Sequence, residues 1–252
     1  MDKTVKKTLL RIINSTSKEV IDTIAVEKRL RILVNGKEVL SLYCTPIMLK
    51  ELVVGILSTE DIIRGQWCAE GIALYYGEEV KADVTAEGTV DVSGGVKTSG
   101  CAGGVVFPER EKALPTSDPL TISAEKLREL YSKFQTLSEL YKLTGCVHSA
   151  ALADTEEILC MAEDIGRHNA VDKVIGYCLI EDIGFKGKIM LTSGRLTSEI
   201  LSKCSRWGIP IVVSKTAPTD LAISIAEKNA LTTVGFLRGR RFNVYTHPER
   251  IL

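Results

Sequence analysis

Between residues 29 and 43 apolar and polar positions alternate on both sides of Asn35-Gly36. Leu30-Arg31-Ile32-Leu33-Val34 precedes the pair and Glu38-Val39-Leu40-Ser41-Leu42-Tyr43 follows it. A period of two, interrupted by a dipeptide that accepts positive φ, predicts a β-hairpin. Thr45-Pro46 then offers an N-cap and a first helical residue, and Leu49, Leu52, Val53 and Ile56 give the following helix one apolar stripe. Short strands are expected at 72–76, 79–84 and 89–92.

From Ser93 to Gly104 the periodicity stops. The run Ser93-Gly94-Gly95-Val96-Lys97-Thr98-Ser99-Gly100-Cys101-Ala102-Gly103-Gly104 has too many glycines for a packed element and predicts a mobile loop. Pro108, Pro115 and Pro119 among charges mark a linker over 108–120, dividing a β-rich N-terminal domain (1–107) from a second domain (121–252). After the N-cap candidate Ser123, apolar positions recur at helical spacing from Leu127 to Tyr141, and Gly145 stops the helix. Beyond it strands are expected at 147–153, 157–162, 188–192, 209–213, 231–236 and 242–246, and helices at 168–180, 197–206 and 219–229. Such alternation predicts an α/β (α+β) fold in which helices cover a mixed sheet.

Composition narrows the function. The 252 residues are 45% apolar, enough for an ordinary core, and 32 basic residues balance 32 acidic ones. No whole-molecule field then favours nucleic acid or an anionic membrane, so any basic site is local. The apolar run Leu9-Leu10-Arg11-Ile12-Ile13 is too short and too interrupted for an export signal, and no stretch approaches a membrane span, which points to the cytoplasm. Seven cysteines, an odd number, suit reduced thiols rather than a disulfide framework. Neither Cys-x-x-Cys nor His-x-Glu occurs, which disfavours zinc and with it a zinc hydrolase or deaminase.

Three expected strand-to-helix turns carry the concentrated polar chemistry: Glu163-Asp164-Ile165-Gly166-Arg167-His168-Asn169, Thr192-Ser193-Gly194-Arg195-Leu196-Thr197 and Ser214-Lys215-Thr216-Ala217-Pro218-Thr219-Asp220. Strand ends in open α/β sheets line the ligand crevice. Free N–H groups at the helix starts, joined by Arg167, Ser193, Arg195, Lys215 and Thr219, suit phosphate oxygens. One such turn alone is equally well a capped helix with solvated charges; three in one sheet favour an anionic ligand. His148, His168 and Asp172 are candidates for acid or base work, though packing or capping is the simpler role for each. Cys160, Cys178 and Cys204 sit among apolar residues as small core side chains. Cys101 differs, because flanking glycines and nearby Lys97 supply the exposure and local charge a nucleophilic thiolate requires. Near the C-terminus, Arg238, Arg240 and Arg241 surround Gly239 between two expected strands, a second place for phosphate.

In order, Thr98-Ser99-Gly100-Cys101, Gly145-Cys146-Val147-His148-Ser149-Ala150, the run from Glu163 to Lys173, Ser193-Gly194-Arg195, Ala217-Pro218-Thr219, and Gly235-Phe236 through Tyr245-Thr246 resemble the FdhD/NarQ family of formate dehydrogenase accessory sulfurtransferases. The resemblance runs from about residue 28 to the C-terminus. It implies a sulfur carrier, loaded by a cysteine desulfurase, that delivers persulfide sulfur to the bis(molybdopterin guanine dinucleotide) molybdenum cofactor of formate dehydrogenase. It also implies a second domain of cytidine-deaminase-like fold without the catalytic zinc, a homodimer, Cys101 as persulfide carrier, and Phe236, Leu237, Arg238, Gly239, Arg240 and Arg241 as the cofactor segment, for which GDP is a fragment mimic. Many members carry Cys-x-x-Cys in the loop, whereas Gly104 stands at the second position here. That departure keeps an alternative in view, a chaperone that holds the cofactor or a guanine nucleotide without moving sulfur.

Overall fold

The computed structural model describes residues 1–64, 67–91, 96–97, 105–106 and 115–252. The chain opens with a hairpin that the sequence reading did not foresee, β1 (Thr4–Ile13) and β2 (Thr16–Ala25), joined by Asn14 and Ser15 at φ 46° and 68°. The expected hairpin follows as β3 (Lys28–Val34) and β4 (Lys37–Cys44), with Asn35 and Gly36 at φ 50° and 79°. Next come α1 (Leu49–Thr59), β5 (Ile63–Arg64), β6 (Trp67–Tyr76), β7 (Val80–Ala86) and β8 (Thr89–Val90). β9 (Val96–Lys97) and β10 (Val105–Val106) pair antiparallel. A four-stranded sheet of order β4-β3-β7-β6 packs its apolar face, including Leu30, Ile32, Val80 and Ala82, on Leu52, Val53, Ile56 and Leu57 of α1.

The second half comprises α2 (Ala124–Leu137), α3 (Glu139–Thr144), β11 (His148–Ala153), β12 (Ile158–Asp164), α4 (Arg167–Ile180), β13 (Ile189–Thr192), α5 (Ser198–Arg206), β14 (Ile211–Ser214), α6 (Asp220–Lys228), β15 (Thr232–Arg238) and β16 (Arg241–Thr246). Its sheet runs β12-β11-β13-β14-β15-β16, with β13, β14 and β15 parallel and the other neighbours antiparallel. Alternation sorts the central strands between two cores. Ile189, Leu191, Ile211 and Val213 face Leu127, Leu130, Tyr131 and Phe134 of α2, while Met190 and Val212 face α4, α5 and α6 through Val171, Val174, Ile200, Leu201 and Ala222. The fold is therefore the expected mixed sheet covered by helices, preceded by a smaller β-rich part.

Two local expectations fail, each because a distant partner wins. Thr45 does not cap α1, whose N-cap is Met48 in the left-handed region at φ 50°. Thr45 is instead fully buried: its N–H donates to Asp164 Oδ2 at 3.0 Å, its hydroxyl accepts from the Ile165 N–H at 3.2 Å, and its carbonyl accepts from Lys173 Nζ at 3.0 Å. The helix expected to run from 124 to 144 breaks at Ser138, whose Oγ meets Ser149 Oγ at 2.8 Å. α3 restarts there because the Glu163 carboxylate accepts the N–H groups of Leu140 and Tyr141 at 2.9 and 3.1 Å.

The two halves join along α1 and α4. A Cβ on Gly55 would lie 1.9 Å from the Asp172 carbonyl oxygen, and one on Gly176 would lie 1.9 Å from that of Glu51, so only glycine lets the helix backbones approach this closely. Around this contact sit two buried polar groups. Asp164 and Lys173 pair at 2.6 Å with neither side chain exposed. Asp164 Oδ1 also accepts from the Gly166 N–H and Asn169 Nδ2, and the same Asn169 nitrogen donates to the Tyr43 carbonyl. At Asp172, the residue of α4 next to Lys173, Lys203 Nζ from α5 donates to both carboxylate oxygens at 2.7 and 2.9 Å and to Thr59 Oγ1 at 2.8 Å, and it lies 2.6 Å from Glu60 Oε1. Burial opposes the Lys203 charge, but the two carboxylates outweigh it and hold its pKa above the usual lysine value.

Removing one member of a buried ion pair leaves the other charged without compensation. Lys173→Met is expected to lower the unfolding free energy by about 3–5 kcal/mol in urea titrations. Adding Asp164→Asn should recover part of that loss, because the stranded charge is then gone.

Candidate functional site

The sheet topology brings the three polar turns to one edge. β12, β13, β14 and β15 run in the same direction, so the turns that follow them emerge side by side, joined by the start of β11 at His148 and of β16 at Arg241. This is the end of the sheet where α/β folds hold ligands.

Hydrogen bonds lock the turns together. The Gly194 carbonyl accepts Ser214 Oγ at 2.6 Å and Thr216 Oγ1 at 2.7 Å, joining the second turn to the third. The stem of Arg167 lies on Gly194, where a Cβ would stand 2.9 Å from Arg167 Cβ, so glycine is required there for the first turn to close on the second. The third turn is tied to the C-terminal hairpin by Phe236 N–H to the Thr216 carbonyl at 3.1 Å and by Arg238 Nε to the Lys215 carbonyl at 3.1 Å. Beneath them the buried Tyr131 hydroxyl donates to the Thr192 carbonyl and accepts the Lys215 N–H, both at 2.8 Å.

Several sequence candidates meet at this edge. Ser193 exchanges bonds with the start of β11: its N–H donates to the Ser149 carbonyl, the Ser149 N–H donates to Ser193 Oγ, and that oxygen lies 3.4 Å from His148 Nδ1. His148 is half-buried, and burial first, then the charges of Arg167 and Lys215, holds its pKa below the ordinary value. A neutral imidazole ringed by cations marks a region of positive potential. Lys215 Nζ lies 5.1 Å from the ring centre of Tyr141, an exposed aromatic that the sequence pattern had placed among the apolar positions of one long helix. Arg195, Arg238, Gly239, Arg240 and Arg241 are exposed on the rim, with Gly239 at φ 56° making the hairpin turn. Phe236, at φ 53°, is half-buried beside them.

Other candidates have structural work. The Thr219 side chain caps α6 by accepting the Ala222 N–H at 3.2 Å. Leu237 points into the core with α2, which leaves only its backbone at the edge. Arg167 is itself buried, so it acts on the edge as a charge beneath the rim. His168 Nε2 lies 2.6 Å from Glu199 Oε2, which holds that carboxylate below its usual range, and Asp172 belongs to the Lys203 cluster. Cys178 and Cys204 are buried, and Cys160, half-buried, has its sulfur 3.5 Å from that of Cys178. Cys68 and Cys146 are exposed. Cys101 and Gly104 lie outside the described residues, between β9 and β10 in the chain.

Sequence reasoning missed Tyr131, Tyr141 and Gly194. The first two were hidden because a tyrosine at helical spacing reads as core; Gly194 stood inside a singled-out turn, but its need for closeness is set by Arg167 from another turn.

Comparison with known proteins gives consistent relatives. The FdhD/NarQ family model matches residues 25–252. The chain is 41% identical to the sulfur carrier protein FdhD of Bacillus pumilus over 91% of this chain and 90% of that one, and 40% identical to that of Bacillus subtilis over 92% of each. A crystal structure from Desulfotalea psychrophila, described as that of a formate dehydrogenase accessory protein, superimposes with a TM-score of 0.83 over 100% of both chains at 28% identity.

The position of His148 has a consequence for acid stability. Because its folded pKa lies below the ordinary 6.5, the unfolded chain takes up the proton first, and stability is lost as pH falls from about that value through the folded pKa. His148→Gln is expected to flatten this limb by up to about 1.4 kcal/mol per pH unit, the limit for one proton. Urea midpoints collected from pH 7.5 down to 5 check it.

Proposed function

This chain belongs to the FdhD/NarQ family, and from that premise we propose that it is a sulfur carrier required for formate dehydrogenase activity. The names of its relatives and the accessory role of its structural neighbour support the reading. In the first step the Cys101 thiolate attacks the outer sulfur of a cysteine desulfurase persulfide. Cys101 becomes the persulfide and the desulfurase cysteine leaves as thiolate, so atoms and electrons balance. The carrier then serves the bis(molybdopterin guanine dinucleotide) molybdenum cofactor, its cargo, before insertion into formate dehydrogenase in the cytoplasm.

The observation that carries the cofactor half of this reading is the convergence of three polar turns and the Arg238–Arg241 hairpin on one sheet edge. Diphosphate groups carry paired anionic oxygens, which guanidinium forks engage with two parallel hydrogen bonds. Lys215 and Arg195 add charge, and the half-buried Phe236 and exposed Tyr141 offer faces for a guanine base. Among the described residues no helix is long and apolar enough to cross a membrane.

A second reading, a chaperone that binds the cofactor without moving sulfur, is favoured by Gly104 at the second cysteine position. The two readings part at Cys101.

GDP should bind the described edge in calorimetry, and Arg238→Ala should weaken it by about 1.5–3 kcal/mol, the worth of one charged hydrogen bond. Arg238→Lys should recover only part, lacking the planar fork. No heat with GDP at millimolar concentration would remove the site.

Cys101→Ser is expected to abolish the reductant-sensitive sulfur adduct formed with a desulfurase and cysteine, and to block maturation of formate dehydrogenase while sparing GDP binding. Mass spectrometry reads the adduct. Cys44 and Cys204, whose thiols burial pushes up to about 12, should remain unmodified in the native protein, so they do not obscure the result. Normal maturation by Cys101→Ser would leave the chaperone reading in place.

A further inference from the structure

Cys160 and Cys178 place their sulfurs 3.5 Å apart across the β12–α4 unit, although eighteen positions separate them in the chain. Three features of the fold produce the contact. Alternation along β12 turns Cys160 and Ala162 toward α4, while Met161 faces the opposite core. The helix then runs back along the strand, so Cys178, in the last turn of α4, returns over the third residue of β12. Finally, β12 is the outermost strand of its sheet, and no further strand shields Cys160, which is half-buried while Cys178 is buried.

A cysteine in a core ordinarily serves as a small apolar side chain. Two that touch have a second option, because a bond at about 2.05 Å can form where the backbones are already neighbours. The pair is also unequal. The Cys178 thiol donates to the Cys160 sulfur, which holds Cys160 below the usual thiol range against the opposing effect of burial, and the same hydrogen bond, with burial, holds Cys178 above it. Cys160, the member with access to solvent, therefore ionises and reacts first.

We propose that Cys160 and Cys178 form a reversible oxidation site whose co-reactant is a small hydroperoxide such as hydrogen peroxide. The Cys160 thiolate attacks one peroxide oxygen, the O–O bond breaks, and hydroxide leaves, which makes Cys160 a sulfenic acid. Cys178 then attacks that sulfur. The S–S bond forms, the S–O bond breaks, and the Cys178 proton departs with the hydroxyl as water. The two thiols give up two electrons, and the peroxide ends as two molecules of water once the first hydroxide regains the proton that Cys160 had lost. The first polar turn and the Asp164–Lys173 pair both lie between the two cysteines, so the bond closes the chain around them. Such a closed loop restricts the unfolded chain, and prompt pairing keeps Cys160 from irreversible higher oxides.

Peptide mapping of the native full chain after treatment with hydrogen peroxide tests the site. Cys146 and Cys160 share one tryptic peptide, so the map is made on Cys146→Ser. A cross-link between the peptides holding Cys160 and Cys178 is expected, lighter by two hydrogens and released by dithiothreitol, with a melting temperature above that of the reduced protein. Cys178→Ala should leave Cys160 as a sulfenic acid captured by dimedone, and Cys160→Ala should leave the buried Cys178 unmodified. The inference is independent of the sulfur-carrier reading, and Cys101→Ser should form the same bond. Absence of the cross-link at a dose that oxidises the exposed Cys68 overturns the proposal. So does a cross-link formed only after unfolding in urea, or one that lowers the melting temperature, since the native core would then hold the two thiols apart.

Discussion

Asp164 and Lys173 meet at 2.6 Å in the interior, and every oxygen of the carboxylate is occupied: Oδ2 by Lys173 and the Thr45 N–H, Oδ1 by Asn169 and the Gly166 N–H. Desolvating two charges is expensive, and the cost is tolerable only when the geometry is complete. Completeness here needs Thr45 at the end of β4, the β12–α4 turn and the body of α4 all in place at once. The pair therefore fixes how the N-terminal sheet docks on the six-stranded one, and with it the point where α4 starts. Gly55 and Gly176 serve the same docking by removing the side chains that would keep α1 and α4 apart.

From that fixed start of α4 the candidate edge follows. Arg167, in the first turn of the helix, rests on Gly194, Gly194 holds Ser214 and Thr216, and Lys215 and Thr216 in turn hold the C-terminal hairpin. Rigid support of this kind holds the cations near one another although they repel: Arg167 by its stem on Gly194, Lys215 by its backbone N–H on Tyr131, and Arg238 by its guanidinium Nε on the Lys215 carbonyl. Burial first, and then the charges of Arg167 and Lys215, holds His148 below its ordinary pKa.

Polar residues in the run from Glu163 to Lys173 divide between two tasks. Glu163 caps α3, while Asp164, Asn169, Asp172 and Lys173 are consumed by packing between the halves. The exposed cations lie instead on the second turn and the C-terminal hairpin, at Arg195, Arg238, Arg240 and Arg241, with half-buried Lys215 on the third turn. The most distinctive stretch of the chain is thus mainly a docking device, and the less distinctive arginine hairpin carries the accessible charge.

The hairpin at Asn35-Gly36, the strand and helix alternation of the second half, and the three polar turns were legible in the sequence because each depends on local periodicity or on turn residues with a fixed backbone preference. The same rule would have found the first hairpin at Asn14-Ser15, but its exposed apolar residues obey no core pattern. Thr45 as a cap and the unbroken helix to Gly145 failed for one reason. Each residue has a local role open to it and a stronger partner that the chain brings from elsewhere: Asp164 for Thr45 and Ser149 for Ser138. The sequence by itself determined which elements form and which turns carry charge. Only the tertiary structure decided which polar groups remain accessible, because accessibility depends on hydrogen bonds closed between residues more than a hundred positions apart, such as Thr45 with Asp164.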